Sequence, residues 1–438
     1  MPVLSLPGTP DLLKLHASWP QRYPVLLETA SGGGWDILLG FPRQHECFDV
    51  TSTTDVYARL AADWQALRCP TEAAAAHLPF RGGWFVYLGY ETLHALEPSV
   101  ARREVDSPFP DACLMRIPAA IMVNRATAQT WLFAESDSAY LFDDIQHDLA
   151  AVPNHSAAPV RLLTLTEEAE QAFLAGVGRI QQYIREGDVF QVNLSRRWQG
   201  QLHPGARPAD VYQALRRANP APFGGLARLG EHHSIVSSSP ERLVRVQSGK
   251  AQTRPIAGTY PRHTDPARDA QTRAELVAHP KERAEHVMLV DLERNDLGRV
   301  SVAGSVKVDE LMAVATYTHV HHIESSVSGM LRDDVSPAAV LRALFPGGTI
   351  TGCPKVRTMQ IIRELETSPR HAYTGSMGYV NRDGDMDMNI LIRSMMLSDD
   401  HITFSAGAGI VADSDPLREL QETRAKARGL LRALGVAD

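Results

Sequence analysis

Two acidic residues, Glu282 and Glu285, are the first candidates for chemistry because they lie three residues apart in a segment with helical character. This spacing places both carboxylates on one face of a helix, where they repel each other unless a cation lies between them. Residues 287–292 follow and are almost wholly apolar, so the helix would enter a core where the carboxylates lie. The pair alone favours a solvated acidic edge partnered by Lys281 and Arg283, whereas the apolar run favours a functional site.

A second acidic helix is predicted near the C-terminus, over residues 417–428. Glu419, Glu422 and Lys426 are spaced i, i+3 and i+7, which places them on one helical face. The sequence Ala-Gly-Ala-Gly at 406–409 precedes this helix and leaves backbone N–H groups accessible. Glycines before a helix are a weak signal for a bound phosphate or carboxylate, and the alternative is a plain strand-to-helix turn.

Alternating polar and apolar residues predict a strand over residues 189–198. Gln191, Asn193 and Ser195 share one face of this strand, and apolar side chains share the other. One face would therefore meet a core, while the other would offer amide and hydroxyl groups to a site or to solvent.

Turn signals further along the chain predict antiparallel sheet. Turns at 383–384 and 399–400 would close two hairpins that join residues 372–381, 387–397 and 402–411. Hairpins of this kind imply antiparallel pairing. Together with the predicted helices, the pattern indicates the α+β fold class.

Arg393 falls within the strand predicted over residues 387–397. On a strand it would share a face with Asp387 and Asn389. A guanidinium in this position can hold a carboxylate ligand through two hydrogen bonds, and the alternative is a salt bridge to Asp387.

The chain divides by composition into two regions and a connection. Residues 1–150 mix short strands and helices, 151–165 form a connection rich in Pro, Asn, His, Ser and Ala, and 166–438 carry the candidate site. Within the connection, Thr164 and Glu167 have the spacing of a capping box. This motif predicts a helix start just before the apolar helical spacing of residues 173–184.

Composition excludes several classes of protein. The chain has 44 basic and 51 acidic residues, a net charge of −7, and its basic residues are dispersed, which argues against nucleic-acid binding. Its four cysteines form no Cys-x-x-Cys pair, which suggests neither a zinc site nor a disulfide framework. The first residues lack a signal-peptide pattern, and no apolar run approaches membrane-spanning length. We therefore expect a cytoplasmic protein without a membrane partner.

Four longer motifs carry a resemblance to a known family. The chain resembles the chorismate-utilising enzymes, which include anthranilate, aminodeoxychorismate, isochorismate and salicylate synthases. The matching stretches are residues 255–259, 282–299, 348–357 and 406–428. The resemblance implies a sandwich of two antiparallel β-sheets flanked by helices. It also implies a chorismate-binding catalytic domain over residues 166–438, preceded by an N-terminal region of the same family over residues 1–150.

The resemblance implies a magnesium site. Chorismate carries two carboxylates, a ring hydroxyl and an enolpyruvyl ether, and its ring must be activated before the hydroxyl can leave. Mg²⁺ prefers oxygen ligands, keeps several waters and binds through few carboxylates. Glu285 and Glu422 match the family's metal ligands, and the ion would hold the ring carboxylate and stabilise the charge that develops as the hydroxyl departs.

The resemblance also implies which residues contact the substrate. Arg393 and Tyr373 would hold the enolpyruvyl carboxylate. Backbone N–H groups of the glycine-rich segment before the last helix would assist them. The other matching positions complete the set of substrate contacts, which is Gly258, Thr259, Tyr373, Arg393, Gly407, Ala408, Gly409 and Lys426.

Three residues match catalytic positions of the family, namely Glu282, His322 and Thr349. Glu282 would act as a general acid on the departing hydroxyl. His322 is one of several histidines in the segment 319–322, so the local sequence leaves the choice open and only the family motif selects it. Thr349 lies in a matching pocket motif.

Two positions bear on which member of the family the chain resembles. Gln191 matches the ammonia-using members, whereas isochorismate synthases carry a water-activating lysine near this point. Motifs at 190–194, 302–308, 345–352 and 409–414 resemble aminodeoxychorismate synthases more than anthranilate synthases. Many aminodeoxychorismate synthases carry a nucleophilic lysine where this chain, like anthranilate synthases, has Ala257. Alanine cannot be a nucleophile, so we expect ammonia to attack directly, at carbon 2 before amination at carbon 4.

The expected activity is that of aminodeoxychorismate synthase component I, for 4-aminobenzoate and folate synthesis, and the alternative is anthranilate synthase component I. Gln191 disfavours isochorismate or salicylate synthesis. A non-enzymatic binding protein on the same fold is disfavoured by the joint presence of the acidic, histidine and lysine candidates. No Gly-x-Cys-x-Gly nucleophile motif is present, so the resemblance implies that a separate glutamine amidotransferase supplies the ammonia.

Overall fold

Antiparallel β-structure organises the chain in its computed structural model, which describes residues 2–29, 33–49, 52, 54–102, 107, 109–153, 158–316 and 320–436, without the side chains of residues 259, 281 and 320. The strands in these ranges are β1 Val3–Pro7, β2 Val25–Glu28, β3 Trp35–Gly40, β4 Gln44–Phe48, β5 Gly83–Leu88, β6 Ala112–Ile117, β7 Ala119–Asn124, β8 Gln129–Ala134, β9 Leu162–Glu167, β10 Gln191–Leu202, β11 Phe223–Arg228, β12 His233–Ser239, β13 Arg242–Gln247, β14 Lys250–Thr253, β15 Ile256–Pro261, β16 Lys307–Thr316, β17 Val320–Met330, β18 Gly352–Cys353, β19 Ser376–Asn381, β20 Met386–Asn389, β21 Ser394–Ser398 and β22 His401–Ile410. The α-helices are α1 Leu12–Ser18, α2 Val56–Leu67, α3 Leu141–Ala151, α4 Glu170–Arg185, α5 Pro208–Ala218, α6 Pro266–Ala278, α7 Pro280–Gly298, α8 Pro337–Leu344, α9 Lys355–Leu365 and α10 Pro416–Ala433.

The strands form two sheets. The first sheet has the order β1-β8-β7-β3-β2-β11-β12-β21-β22-β10-β18, with β9 paired to β10. The second has the order β15-β17-β14-β13-β20-β19-β5-β6-β4, with β16 paired to β17. All of these pairs are antiparallel. The predicted α+β class with two antiparallel sheets and flanking helices is confirmed.

Central strands are buried on both faces, which makes this fold a layered sandwich. On β3, Ile37 and Leu39 pack into the core between the two sheets, whereas Leu38 packs into an outer core with α1, α5 and α10. On β5, Phe85 belongs to the core between the sheets and Val86 to the outer core with α2 and α8. Successive side chains point to opposite faces, so a strand between two cores is apolar throughout.

Both sheets combine strands from before and after the predicted connection. In the first sheet β2 pairs with β11, and in the second β5 pairs with β19. Residues 1–150 and 166–438 therefore share both sheets and the core between them. The proposed division of the chain is not a division between sheets.

The predicted capping box is wrong, because its two residues lie in strand β9. Helix α4 begins at Glu170, after Ala169, and no side chain caps it. Thr164 pairs with Gln201 of β10, and the Glu167 carboxylate forms an ion pair with Arg196. Pairing of β9 with the neighbouring strand thus overrides the local helix-start signal.

The strand predicted over residues 387–397 is also wrong, because the chain changes sheets there. Strand β20 belongs to the second sheet and β21 to the first. Arg393 lies between them with a φ of 51°, in the left-handed region, so it is not on a strand. Ile390 and Leu391 are buried at the crossing, and this burial makes the whole stretch look like one apolar strand. Asp387 pairs instead with Arg242, with a 2.8 Å contact.

Both predicted acidic helices are present, and each begins with a proline in its first turn. Proline suits this position because its missing N–H would have no partner inside the helix. Asp415 caps α10 by accepting a hydrogen bond of 2.8 Å from the Arg418 N–H. Among the described helices, none is long and apolar enough to cross a membrane.

Candidate active site

Two neighbouring strands of the first sheet, β10 and β22, form the floor of the candidate site. Their register places Asn193 opposite Gly409. A Cβ atom at Gly409 would lie 2.3 Å from the Gln191 amide nitrogen, and one at Gly407 would lie 2.4 Å from Asn193 Oδ1 and 2.7 Å from Tyr373 Oη. The glycines of β22 are therefore needed because polar side chains lie directly over their backbone.

Two amide oxygens at this floor are left without partners. Gln191 Oε1 and Asn193 Oδ1 are buried, and neither accepts a hydrogen bond from the residues that the structure describes. A buried acceptor without a partner is costly. The floor is therefore suited to a ligand that brings N–H or O–H donors.

Helix α7 meets the floor through Glu285. The Gln191 amide nitrogen donates a 2.8 Å hydrogen bond to Glu285 Oε1. Burial raises the pKa of Glu285, the carboxylates of Glu282 and Glu422 raise it further, and Gln191 and Lys426 oppose this rise. Carboxylates from α7 and α10 thus lie near one another on one side of the site.

Lys426 brings a cation from α10 to the same place. Its Nζ donates a 3.0 Å hydrogen bond to the Gly407 carbonyl and lies 2.8 Å from Glu422 Oε1. The Glu422 side chain is 48% exposed, so water screens this pair and it adds little stability. The hydrogen bond from Lys426 to Gly407 instead holds the charged face of α10 against β22.

His322 and Gly258 form the opposite wall. Gly258 has a φ of 60°, and a Cβ atom there would lie 2.8 Å from Glu282 Oε2. His322 Nδ1 lies 3.1 Å from the Gly258 carbonyl oxygen. Burial lowers the pKa of His322 to about 4, so the ring is neutral at pH 7. Because a carbonyl only accepts, Nδ1 carries the proton and Nε2 is left as an acceptor.

The structure separates the neighbouring histidines by their surroundings. His321 points away from Gly258, with its ring nitrogens 2.9 Å from Asp269 Oδ1 and 3.0 Å from Thr316 Oγ1. It therefore holds α6 to the end of β16. The predicted choice of His322 agrees with this placement, whereas His319 and the Thr259 side chain lie outside the described residues.

Glu241 is a functional candidate that the sequence predictions missed. Thr349 Oγ1 donates a 2.7 Å hydrogen bond to Glu241 Oε1. Burial raises the pKa of Glu241 to about 8, with further contributions from Glu293 and Glu324. At pH 7 this carboxyl is therefore mostly protonated. The signal that could have identified it is an acidic residue directly after a buried strand and a proline.

Electrostatic interaction with Lys426 is common to three groups of the candidate site. The Lys426 charge lowers the pKa of Glu241, Glu285 and His322 alike. These three side chains come from the end of β12, from α7 and from β17. The Lys426 ammonium group therefore interacts electrostatically with residues from three different elements.

Arg393 is a half-buried cation near Glu241. Burial lowers the pKa of Arg393, and the Glu241 carboxylate opposes this shift. Within the described ranges, no carboxylate lies within 4.0 Å of its guanidinium, and the predicted alternative partner Asp387 is paired with Arg242. A partly desolvated cation without a carboxylate partner favours an anionic ligand at this position.

A separate cleft of about 790 Å³ lies between α1 and α5 and contains none of these residues. Two of its three lining arginines are already paired, Arg216 with Glu28 and Arg207 with Asp210. We place the candidate active site at β10 and β22 because two buried amide oxygens without partners lie there together with the charged groups of Glu285 and Lys426.

The acidic side of the site fits a magnesium ion with few protein ligands. The charges of Glu282 and Glu422 raise the pKa of Glu285, so a cation there would relieve carboxylate repulsion. In the described part of the chain, the clusters of three His, Cys, Asp or Glu side chains whose ligand atoms lie within 4.8 Å of one another are found elsewhere. The three glutamates therefore do not form a closed cage. Mg²⁺ commonly binds through one or two carboxylates and retains water, and Glu285 and Glu422 could supply these.

Comparisons with known proteins indicate the family of this chain. The family model described as chorismate binding enzyme matches residues 23–432. The chain is 36% identical over 457 residues to aminodeoxychorismate synthase component 1 of Klebsiella aerogenes, which covers 99% of this chain and 98% of that protein. It is 43% identical over 366 residues to an anthranilate synthase component I-like protein of Synechocystis sp., and this match covers 83% of this chain and 75% of that protein. The crystal structure of anthranilate synthase component I from Streptococcus pneumoniae superposes with a TM-score of 0.80 at 29% identity, covering 90% and 92% of the two chains.

Proposed function

The chain belongs to the family of chorismate-binding enzymes, and we propose that it aminates chorismate to 4-amino-4-deoxychorismate. The similarity to aminodeoxychorismate synthase component 1 extends over nearly the whole of both proteins, whereas the stronger match to the anthranilate synthase-like protein covers 75% of that protein. This difference in coverage supports amination at carbon 4 over synthesis of anthranilate.

The observation that carries the proposal is the environment of Gln191. Its amide nitrogen is bound to Glu285, and its buried amide oxygen accepts no hydrogen bond from any described residue. A neutral amide cannot deprotonate water, but its oxygen can accept an N–H of ammonia. We infer that Gln191 orients ammonia as the nucleophile beside the metal-binding side of the site.

The substrate would lie between two charged ends. Arg393, with Tyr373 and the N–H groups of residues 407–409, would hold the enolpyruvyl carboxylate. The ring carboxylate would face Glu285 and Glu422, where bound Mg²⁺ would supply positive charge. Holding both carboxylates fixes the ring relative to the nucleophile and the proton donor.

We propose Glu241 as the proton donor to the leaving hydroxyl. It carries a proton at pH 7, since burial raises its pKa to about 8, and a matched pKa favours general acid catalysis. The carbon 4–oxygen bond breaks, the hydroxyl departs as water with the proton, and the aminated product returns a proton to Glu241. The role predicted for Glu282 remains a prediction, and the raised pKa of Glu241 supports Glu241 as the donor.

Ammonia would form the first bond to the ring without a covalent enzyme intermediate. Ala257 is buried on β15 and offers no nucleophile. Attack at carbon 2 with loss of the carbon 4 hydroxyl, followed by attack of a second ammonia at carbon 4 with loss of the first, gives the same net reaction. Trapping an adduct between chorismate and a protein side chain would contradict this route.

Anthranilate synthesis is the second candidate, and Ala257 favours it. In that reaction ammonia would remain at carbon 2 and pyruvate would be eliminated. The 43% identity to the anthranilate synthase component I-like protein also supports it. The two reactions differ in their products, so one assay separates them.

The test is a product analysis with the purified full-length protein, chorismate, Mg²⁺ and an ammonium salt. We expect 4-amino-4-deoxychorismate, detected by mass spectrometry and converted to 4-aminobenzoate by an added lyase. Fluorescent anthranilate with release of pyruvate would replace the proposal with the second candidate. If neither product forms, both candidate functions are rejected.

Glutamine should not replace ammonium unless a partner is added. The relatives' names include the word component, which supports a second subunit, and we propose that it is a glutamine amidotransferase. We expect this chain alone to use ammonium and to use glutamine only with such a subunit. Turnover of glutamine by this chain alone would contradict the proposed partner.

A further inference from the structure

Three donor atoms meet where the edge strand β4 pairs with β6, outside the proposed active site. Cys47 lies directly opposite Cys113. His45 precedes Cys47 by two residues, so the two side chains share one face of β4. The two thiol sulfurs and a ring nitrogen of His45 all lie within 4.8 Å of one another.

The spacing of these donors fits a tetrahedral metal ion. The distance from His45 Nε2 to Cys47 Sγ is 3.5 Å. Bonds of about 2.3 Å to sulfur and about 2.0–2.1 Å to nitrogen, at tetrahedral angles, separate the two donors by roughly 3.5 Å. Zinc favours this combination of thiolate and imidazole ligands, whereas Mg²⁺ favours oxygen.

Burial also suits metal binding. Cys113 is fully buried, while His45 and Cys47 are exposed. An ion could therefore reach the cluster from solvent and still bind one thiolate that is protected from water. The Cys47 thiol lies 3.1 Å from the Leu229 carbonyl oxygen, at the end of a strand of the other sheet.

We propose that His45, Cys47 and Cys113 bind a zinc ion that fastens β4 to β6. Zinc would displace the protons of both thiols, and water or another ligand would complete the tetrahedron. Among the described strands β4 pairs with β6 alone, and an open sheet edge is a liability that proteins protect. The sequence suggested no zinc site because its cysteines are far apart, whereas sheet register brings two of them face to face.

The test measures zinc binding to the reduced full-length chain in excess Mg²⁺, which occupies carboxylate sites. We expect one zinc per chain in competition with a chromophoric chelator. Cobalt in place of zinc should show thiolate charge-transfer absorption and the strong visible bands of a tetrahedral ion. Absence of stoichiometric zinc binding, or cobalt spectra without a thiolate band, would overturn the proposal.

Variants distinguish this site from any other. Cys47→Ser and His45→Ala change exposed side chains, so both should fold, and each should weaken zinc binding by more than the roughly 10- to 100-fold typical of outer-shell changes. Cys69→Ser is the matched control and should retain binding. Unchanged affinity in Cys47→Ser or His45→Ala would overturn the assignment.

Hydrogen exchange tests the structural role. Zinc should slow amide exchange over residues 44–48 and 112–117 and leave strands of the first sheet unchanged. Equal exchange with and without zinc in these strands would contradict fastening of the edge strand. Because none of these residues belongs to the active site, failure here would leave the proposed amination untouched.

Discussion

Glu241 shows how burial converts a carboxylate into an acid that works near neutral pH. The side chain is 5% exposed, and the Glu293 and Glu324 carboxylates disfavour its ionisation. Thr349 and Lys426 favour the ionised form, but the pKa still rises to about 8. The balance leaves a proton on Glu241 near the half-buried guanidinium of Arg393.

Replacement of the proposed acid should remove most of the rate. We expect Glu241→Gln to lower kcat by about 10²–10⁴-fold, because an amide cannot supply the proton. The measurement is ammonium-dependent turnover of chorismate. A variant with wild-type kcat would exclude Glu241 as the acid.

The pH profile provides an independent check with a defined sign. The active form of Glu241 is protonated, so kcat/KM, divided by the concentration of unprotonated ammonia, should fall as pH rises above about 8. The Thr349 hydrogen bond lowers the pKa of Glu241. Thr349→Val should therefore move the falling limb to higher pH. A limb that stays in place would assign it to another group.

At the scale of elements, the site depends on how α7 and α10 meet β10 and β22. Glu285 of α7 accepts a hydrogen bond from Gln191 of β10, and Lys426 of α10 donates to Gly407 of β22. Each helix is therefore joined to the strand that forms the floor. Small shifts of either helix would move the acidic side of the site relative to the substrate.

Loss of either proposed metal ligand should abolish magnesium-dependent turnover. We expect Glu285→Ala and Glu422→Ala each to lower activity by more than about 100-fold, since the metal would lose a carboxylate, while circular dichroism shows an intact fold. Asp291→Ala is a control on α7, where that side chain is 63% exposed, and it should retain activity. Wild-type magnesium dependence in either glutamate variant would remove that residue from the metal site.

Substitution of Gly409 tests whether the position of the Gln191 amide affects catalysis separately from the stability of the fold. A methyl group at Gly409 would lie 2.3 Å from the Gln191 amide nitrogen, so Gly409→Ala should displace that amide. We expect kcat/KM for ammonia to fall about 100-fold, because misplacement by about 1 Å can cost that much.

The matched control for the floor is Gly178→Ala in α4, where an added methyl group meets no atom within 4 Å. It should leave turnover unchanged and, because alanine favours helix, should not lower the melting temperature. Unimpaired kinetics in Gly409→Ala would contradict the role of the close contact between β22 and Gln191.

At the scale of the molecule, the two sheets tie the N-terminal region to the rest of the chain. Strand β2 covers the edge of β11, and β5 joins β6 to β19. The core between the sheets contains Val25 and Phe85 together with Ile235 and Met377. The candidate catalytic residues therefore rest on sheets that either region alone would leave incomplete.

A chain that begins at residue 158 should not fold independently. It would expose the edges of β11 and β19 and the apolar faces that β2, β3, β5 and β6 cover. We expect aggregation or loss of a cooperative thermal transition, measured by calorimetry against the full-length chain. Cooperative unfolding and chorismate turnover by the shortened chain would instead support two independent domains.

The acidic helices show what could be predicted from local sequence patterns. The spacing of Glu282 and Glu285, and of Glu422 and Lys426, depends only on the period of an α-helix, and both pairs share a face in the structure. The family motifs likewise selected His322 among its neighbours. Antiparallel sheet was predictable because hairpin turns have local sequence signals.

Only the tertiary structure decided features that depend on distant partners. Thr164 and Glu167 joined a strand because β10 was available to pair with them. Arg393 left its predicted strand because the chain crosses between sheets there.

The missed acid and the proposed zinc site have the same explanation. The pKa of Glu241 follows from burial among residues that are distant in sequence. Cys47 and Cys113 meet through the register of β4 and β6. The α-helical period is a local property, whereas burial, strand partners and charge neighbours are set by the packed chain.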